Sequence, residues 1–532
     1  MEFLDEIKLD ESKFIKYKRF LFLKIKDKNF LKGISTVIGA AILNFVIGAI
    51  FSVCQLVLYE ISYIRWTNPS NNITIDNQAF YYPTEKIAQH LASFISGILY
   101  KKLGLHYTNL IGIIILFFGY LTLFLSKRFA VDMISMVLTG IGTGIIYYPS
   151  TANACEWFIH NKGIIIGIIE TMISLGSFFF DLLGERMVNK AQDKGEEDEK
   201  FYTLEEGEKF KTFMIYLIII VIVFYIFAFL LMFVKRKDTD SDKNKIDAQL
   251  IAEVNDSDQN PININPEESI DNIILDENQP SEVILNEDTP KKNYSFKKKL
   301  KTVMKSKQLI IFALIVILEG PLTSTIFGFY QGIGKNFKIS RKVLNSIGPV
   351  NFILECIAGF IFGLLCDYIS NKNLLLFIFG VDIIIGYLYV VSFNYDALFF
   401  IFTNLASFTC GGFYSVKDYY LMNVFGVELY VIIIAYVNFL SAVVVIVLTP
   451  VVYALIKIGN KNLKPDEKPN TAGYWITFVL LSTCSLISLV FSLIVKYDPF
   501  DYEEHIEKKS DEKKQDLITE NNNQDNNDEI LM

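Results

Sequence analysis

Along this chain apolar residues collect into runs of about 20 positions, the length a helix rising about 1.5 Å per residue needs to cross about 30 Å of hydrocarbon. Only helices or closed barrels satisfy every backbone group in lipid, and these runs are too long and too continuously apolar for the alternating strands of a barrel. The pattern therefore predicts an all-α membrane protein with twelve transmembrane helices. The spans are read at 34–58, 84–100, 108–126, 130–154, 163–183, 212–234, 308–330, 344–366, 373–393, 397–421, 427–456 and 473–495.

Composition fits this reading. The 532 residues are 52% hydrophobic and 14% aromatic, and the formal net charge of −8 arises from acidic residues crowded into tails and loops. That distribution gives no support to a nucleic-acid partner. All six cysteines (Cys54, Cys155, Cys356, Cys366, Cys410 and Cys484) fall inside or at the edge of spans without metal-like spacing, so they read as small buried apolar residues, and no metal or cofactor is expected. Nor is there a Gly-x-x-x-x-Gly-Lys-Ser/Thr loop for nucleotide hydrolysis, and no enzyme is expected. A lysine-rich polar segment precedes the first apolar run, so no cleavable signal is read.

Basic residues flanking the spans set orientation. The N-terminal lysines, Lys235-Arg236-Lys237 after span six, and Lys297-Lys298-Lys299 with Lys301 before span seven place both termini in the cytosol, of a plasma or an organelle membrane. The loop holding Lys335, Lys338, Arg341 and Lys342 runs against this rule. The sequon Asn72-Ile73-Thr74 then falls in an external loop. The expected organisation is a cytosolic segment at 1–32, a six-helix bundle at 33–234, a flexible acidic linker at 235–307, a second six-helix bundle at 308–497 and a disordered tail at 498–532.

The two halves match locally. After span two the chain reads Gly97-x-x-x-Lys101-x-x-Gly104-x-His106, and after span eight Gly363-x-x-x-Asp367-x-x-Ser370-x-Lys372. In spans four and ten, Gly142-Thr143-Gly144 corresponds to Cys410-Gly411-Gly412. Gly97 and Gly363 stand 266 residues apart, and Gly144 and Gly412 stand 268 apart. So constant an offset indicates an internal repeat.

On these residues the chain resembles the major facilitator superfamily, whose signature between helices two and three, and again between eight and nine, is Gly-x-x-x-Asp-x-x-Gly-x-Arg/Lys. The second copy is good, with Ser370 replacing glycine; the first has Lys101 in the acidic position and His106 in the basic one. The resemblance implies a conformational latch at Gly97, Lys101, Gly104, Gly363, Asp367 and Lys372, in which charged groups pair and cap a neighbouring helix terminus. A tighter likeness runs through Gly140-x-Gly142-x-Gly144-x-x-Tyr147-x-Pro149, Trp157-Phe158, Lys162-Gly163, Gly167 and Gly176, which is similar to the oxalate:formate antiporter and monocarboxylate transporter branch. Gly140 and Gly144 also stand four apart on one helix face, where small residues let backbones approach, whether for packing alone or for a contact that repacks during a cycle. Pro149 is expected to loosen its helix.

Ionisable groups at membrane depth are expensive and are functional candidates. Glu319, just before Gly320-Pro321 where backbone groups could open toward a ligand, is the first choice for proton coupling, with Glu355 and Glu170 behind it; a local structural role is the alternative for each. Asp382, on span nine, reads as structural. Lys417, at the place of Pro149 in the repeat, is either an anchor for a substrate carboxylate or a lysine that snorkels or pairs with an acid. Its neighbour Asp418 is expected to point elsewhere, since adjacent residues on a helix diverge by about 100°. Further solute-contact candidates are Asn44, Gln55, Tyr147 and Asn153, for which helix-to-helix hydrogen bonding is the competing reading. The resemblance implies that spans one, four, seven and ten line a central cavity while three, six, nine and twelve face lipid. It also implies an arginine in helix eight, yet there is no basic residue between Leu344 and Asp367.

The functional expectation is a monomeric secondary transporter for a small organic solute, monocarboxylates or related organic anions first, with protons as a candidate co-substrate. Amino acids or other amphipathic metabolites are the alternative cargo. A non-transporting membrane receptor or scaffold is the alternative of another class.

Overall fold

The computed structural model describes residues 28–69, 73, 75–188, 202–234, 295–456 and 470–502. Twelve long helices account for most of them: α1 (Lys28–Gln55, continued past a break at Leu56 by Val57–Thr67), α2 (Tyr81–Leu103), α3 (Leu105–Leu125), α4 (Phe129–Trp157), α5 (Lys162–Val188) and α6 (Leu204–Leu231) in one half. The other half holds α7 (Lys307–Asn336), α8 (Arg341–Cys366), α9 (Asn371–Ser392), α10 (Asp396–Phe425), α11 (Val427–Ile456) and α12 (Ala472–Ile494). Eleven are long and apolar enough to cross a membrane by length and composition. The twelfth, α2, carries Glu85, Lys86, His90, Lys101 and Lys102. It is held by a stripe of small and polar residues at helical spacing, Glu85, Ala88, Gln89, Ala92, Ser93, Ser96 and Gly97, all buried. That stripe meets α4, where Gly140 and Gly144 lie directly on the α2 backbone at Glu85 and Gln89.

Short turns make successive helices antiparallel. Gly104 alone joins α2 to α3, at φ 78°, a conformation only glycine adopts without strain. Ser370 in the equivalent position keeps φ at −60° and opens α9 instead, so the serine is tolerated because the second turn is built differently. The turns at 104, 158–161, 367–370 and 426 share one end of the molecule with the described chain ends, called here the terminal face.

Pro149 and Pro321 both sit inside unbroken helices. Pro149 has no N–H to give the Ile145 carbonyl, and the Ser96 hydroxyl of α2 donates to that carbonyl at 2.8 Å. α7 likewise continues through Pro321, whose missing donor belongs to the Ile317 carbonyl; the Ser441 hydroxyl donates at 3.3 Å to the preceding carbonyl, that of Val316. Both helices thus run on through their prolines, and at Pro149 a neighbouring helix supplies the missing donor. The break falls in the first pass, at Leu56.

Burial grades across the helices. The most apolar stretch of α1 is 72% buried and that of α6 only 28%, its outer residues Ile215, Tyr216, Ile219, Ile226 and Phe227 facing outward as a lipid-exposed helix requires. The end of the first half away from the terminal face is fastened by a buried ion cluster. Lys211 of α6 bonds Glu60 at 2.6 Å and the carbonyls of Leu123 and Ser126 at 2.7 and 3.1 Å, and the Tyr81 hydroxyl donates to Asp132.

Two segments are more ordered than the sequence suggested. Phe296–Val303, within the stretch read as linker, is a helix whose Thr302 and Val303 are buried while Lys297, Lys298 and Lys301 are exposed and Lys299 lies 3.6 Å from Glu428. Residues 498–502, read as tail, dock on the terminal face: Phe500 N–H donates to the Val424 carbonyl and the Tyr502 hydroxyl to that of Phe425. The sequon at Asn72 and Thr74, the rest of the acidic linker and the tail beyond 502 lie outside the described residues.

Candidate functional site

The two halves join toward the terminal face by two equivalent crossings, α5 on α8 and α2 on α11. At the first, glycines bring the backbones together: a methyl group added at Gly163 would lie 2.5 Å from the Gly363 carbonyl oxygen, and one at Gly363 would collide with the Gly167 backbone. Asp367, just past the end of α8, then reaches the first turn of α5, where the N–H groups of Gly163 and Ile164 each donate to its carboxylate at 2.9 Å. These are two of the donors that a helix start leaves without intrahelical partners, and the helix dipole adds to their pull on an anion. Partial burial nevertheless pushes the Asp367 carboxyl above its ordinary range, against the opposing effect of the two N–H groups and of Lys162.

At the second crossing, a methyl at Gly97 would lie 2.6 Å from the Ile432 side chain. Here the polarity is reversed. Lys101, in the position of Asp367, lies 3.9 Å from Glu428 in the first turn of α11 and 3.2 Å from the centroid of the Phe296 ring. The acid that favours a helix start is thus carried by α11 itself, and the cations come from the last turn of α2 and from Lys299, 3.6 Å from Glu428.

Deeper in, ionisable and phenolic groups from both halves converge. The Tyr147 hydroxyl of α4 donates to Glu170 of α5. On the other half the Tyr430 hydroxyl of α11 donates to Asp418 of α10 at 2.6 Å. Glu170 and Asp418 lie within electrostatic reach of each other across the interface. Lys417 donates to Asn438 at 3.1 Å, and Asn438 in turn donates to the Tyr148 hydroxyl of the first half at 2.6 Å. Lys417 also lies 3.8 Å from Asp418, against the expectation that the two point apart, because its four-carbon stem bends the ammonium back.

Farther from the terminal face lies a second cluster. Lys86 of α2 bonds Gln89 at 2.6 Å, sits 3.6 Å from Glu85 and lies 4.1 Å above the Phe51 ring and 5.5 Å from that of Tyr82. Glu355 of α8, which contacts Ser174, is within the electrostatic reach of Lys86. Tyr82, Lys86 and Glu355 all keep some exposure, unlike the network beneath them.

Of the residues singled out in the sequence, Tyr147, Glu170 and Lys417 belong to the central network and Glu355 to the cluster above it. Glu319 is buried, contacts Thr323, and leaves its Oε1 without a hydrogen-bond donor. Asn44 donates to the Ala40 carbonyl of its own helix at 2.8 Å and to Ser150 at 3.4 Å. Asn153 is away from the rest, donating to the Phe233 carbonyl just past the end of α6 at 2.9 Å. The Gln55 side chain lies outside the described residues. Asp382 accepts from Thr409 at 2.6 Å. Lys372 stands in the first turn of α9.

Glu85, Lys86, His90, Tyr148, Tyr430 and Asn438 escaped the sequence reading. Glu85 and Lys86 fall in the first turn of the shortest predicted span, where charge reads as a margin. The two tyrosines and Asn438 carry no signal until the halves are brought together. Among the described residues there is no group of three or more His, Cys, Asp and Glu that could hold a metal ion.

The family model of the Major Facilitator Superfamily matches residues 87–330. Over 131 residues, 24% of this chain, the sequence is 26% identical to the MFS-type transporter opdF of Penicillium oxalicum (strain 114-2 / CGMCC 5302), and the match spans only 30% of that relative's length. Solved structures with the same fold include the E. coli fucose:proton symporter FucP, with 10% identity, a TM-score of 0.55 and coverage of 87% of this chain and 98% of that one. The human organic anion transporter MFSD10 (TETRAN) follows with 13% identity, a TM-score of 0.54 and coverage of 88% and 100%. The proton:xylose symporter XylE gives 12% identity, a TM-score of 0.57 and coverage of 87% and 96%.

Proposed function

We propose that this chain, with its many membrane-spanning helices, is a member of the Major Facilitator Superfamily and a secondary active transporter of small organic solutes rather than an enzyme. Monocarboxylates and related organic anions are the cargo in this reading, and the two halves rock to expose a site between them alternately to each side. The observation that carries it is the nature of the joint. Toward the terminal face the halves meet through a glycine-on-glycine crossing, a glycine set against the Ile432 side chain and a carboxylate seated on a helix start, contacts that can part as units. The half-exposed groups Lys86, Tyr82 and Glu355 lie on the other side of that joint. Transport then means that solute must bind the two arrangements unequally.

The anion reading rests on Lys86, an ammonium framed by the Phe51 and Tyr82 rings, which offers a charge for a carboxylate and apolar faces for a short carbon chain. It stands in for the absent helix-eight arginine. A neighbouring fold is a human organic anion transporter; two others are named for sugars and protons. A second reading is favoured by Glu355: an acid within reach of Lys86 provides for an ammonium as well as a carboxylate, which suits amino acids. A scaffold that signals through its acidic linker has no such support.

Uptake by proteoliposomes separates these. Labelled lactate, pyruvate or formate should enter, and Lys86→Ala should raise the apparent KM about tenfold, the order expected for a lost charge-assisted bond. Entry of an amino acid with none of the three acids moving would replace the anion reading by the second.

Glu319 is the proposed proton carrier, since its buried Oε1 has no donor and a proton on it removes an uncompensated charge. Glu319→Gln should abolish accumulation driven by a pH gradient while leaving solute exchange. Accumulation that persists rules the role out.

A further inference from the structure

Six of the twelve residues from Phe296 to Lys307 are lysine and none is acidic. This stretch is not a loose flank of α7. Its apolar residues Phe296, Leu300, Val303 and Met304 recur at helical spacing and pack on the core. The Phe296 ring lies 3.2 Å beneath the Lys101 ammonium at the end of α2. Lys299 turns inward, 3.6 Å from Glu428 in the first turn of α11 and 5.9 Å from the centroid of the docked Tyr502 ring. The helix Phe296–Val303 therefore lies along the terminal face, in contact with both halves, instead of projecting away from it.

That placement fixes where the remaining lysines stand. Lys297, Lys301 and Lys305 follow one another at intervals of four, so they form a single stripe on the side opposite the apolar contacts, and all three are exposed. Lys307, also exposed, opens α7. Three residues on, Ile310 is 49% exposed on the outside of a membrane-crossing helix, where its surroundings are hydrocarbon. At about 1.5 Å per residue Lys307 stands about 4.5 Å above that level. The headgroup layer is about 5–8 Å thick on each side of the hydrocarbon, so the stripe begins within it.

We infer that the stripe Lys297, Lys301 and Lys305, with Lys307, is a docking surface for the headgroups of anionic lipids. Each ammonium is a compact charge on a four-carbon stem that reaches a phosphate or carboxylate while the helix beneath stays seated. Clustered lysines next to a span attract anionic lipid by charge. A positive excess alone also orients a membrane protein, folded or not. What distinguishes this surface is that the lysines are arrayed on a helix pinned at Phe296, Lys299 and Val303. The acidic segment at 238–294 of the same chain is the competing occupant, and depth favours lipid: headgroups surround the stripe whichever way the chain is oriented. The inference does not depend on cargo or on movement of the halves.

The test uses the full-length protein in phosphatidylcholine bilayers carrying a trace of spin-labelled phosphatidylserine or spin-labelled phosphatidylcholine. Electron paramagnetic resonance then gives the fraction of each lipid immobilised at the protein surface. Phosphatidylserine should be held severalfold better, and about 1 M salt, where the Debye length is about 3 Å, should erase the difference. Lys297→Gln, Lys301→Gln and Lys305→Gln together should bring phosphatidylserine close to phosphatidylcholine, and arginine at the same three positions should restore the preference. Lys301→Gln alone, with a smaller loss in the same direction, serves if the triple variant folds poorly. Lys28→Gln, Lys32→Gln and Lys496→Gln remove the same charge from exposed positions elsewhere on the terminal face and should keep most of the preference. Equal losses in the two triple variants would overturn the site in favour of diffuse attraction. A wild-type protein without preference overturns it as well, and a preference seen only after deletion of 238–294 assigns the stripe to that segment instead.

Discussion

Asp367 shows how much one side chain can hold. Its carboxylate receives two N–H groups of another half's helix, each a charge-assisted bond of about 1.5–3 kcal/mol before the cost of burial is taken off. Asp367→Ala should therefore cost the closed form on the order of 2 kcal/mol, about a thirtyfold change in its population, read as faster alkylation of a cysteine placed at Asn373. An unchanged rate would mean that the carboxylate does not hold the joint. This residue was legible in the sequence because a motif frames it. Lys86 was not, since a cation in the first turn of a short span looks the same as a lysine at the water boundary until Phe51, Tyr82 and Glu355 are placed around it. Lys417 was noticed as a charge at membrane depth, but its bond to Asn438 depends on a different helix and could not be read from its own.

Between helices, the decisive feature is how closely backbones approach. A methyl at Gly363 would collide with the Gly167 backbone, so Gly363→Ala must separate α5 from α8; overpacking of this kind costs about 1–3 kcal/mol. The expected outcome is a protein that still folds, since each half keeps its own core, but whose terminal face is more open by cysteine alkylation. A protein with normal accessibility would show that the crossing yields easily. The second crossing makes a subtler forecast. Lys101 and Glu428 are each about half exposed, and such pairs contribute about 0.2–1 kcal/mol, so Lys101→Glu should open the face only slightly and Glu428→Lys in the same chain should restore it. Failure of the double variant to restore it would leave the reversed polarity without a role. Hydropathy placed all twelve helices, with some ends off by two turns, as where the first pass runs on to Thr67 and α6 begins at Leu204. The continuity of α4 through Pro149 was not readable, because the donor that repairs it, Ser96, belongs to another helix.

At the scale of the molecule, the two-half plan was visible in the repeat: Gly97 and Gly363, 266 residues apart, occupy matching crossings, whereas the glycine that meets the α8 backbone as Gly144 meets that of α2 is Gly411, one residue before the Gly412 of the sequence alignment. What a repeat leaves out is the place where the halves differ. The latch is an acid on a helix start in one crossing and a cation facing an acid in the other, and only the assembled interface tells that the degenerate copy keeps a partner. If the halves carry transport between them, the acidic segment joining them is a tether, and deleting 238–294 while keeping a flexible spacer should preserve most uptake. Loss of uptake in a folded protein would favour the scaffold reading. The central claim is that the terminal face must open in every cycle. Cysteines at Lys101→Cys and Glu428→Cys, where the side chains meet at 3.9 Å, can be joined by a disulfide across the two halves. In proteoliposomes that take up the labelled acid, oxidation should stop uptake and a thiol reductant should restore it; full uptake with the bridge complete would contradict alternating access.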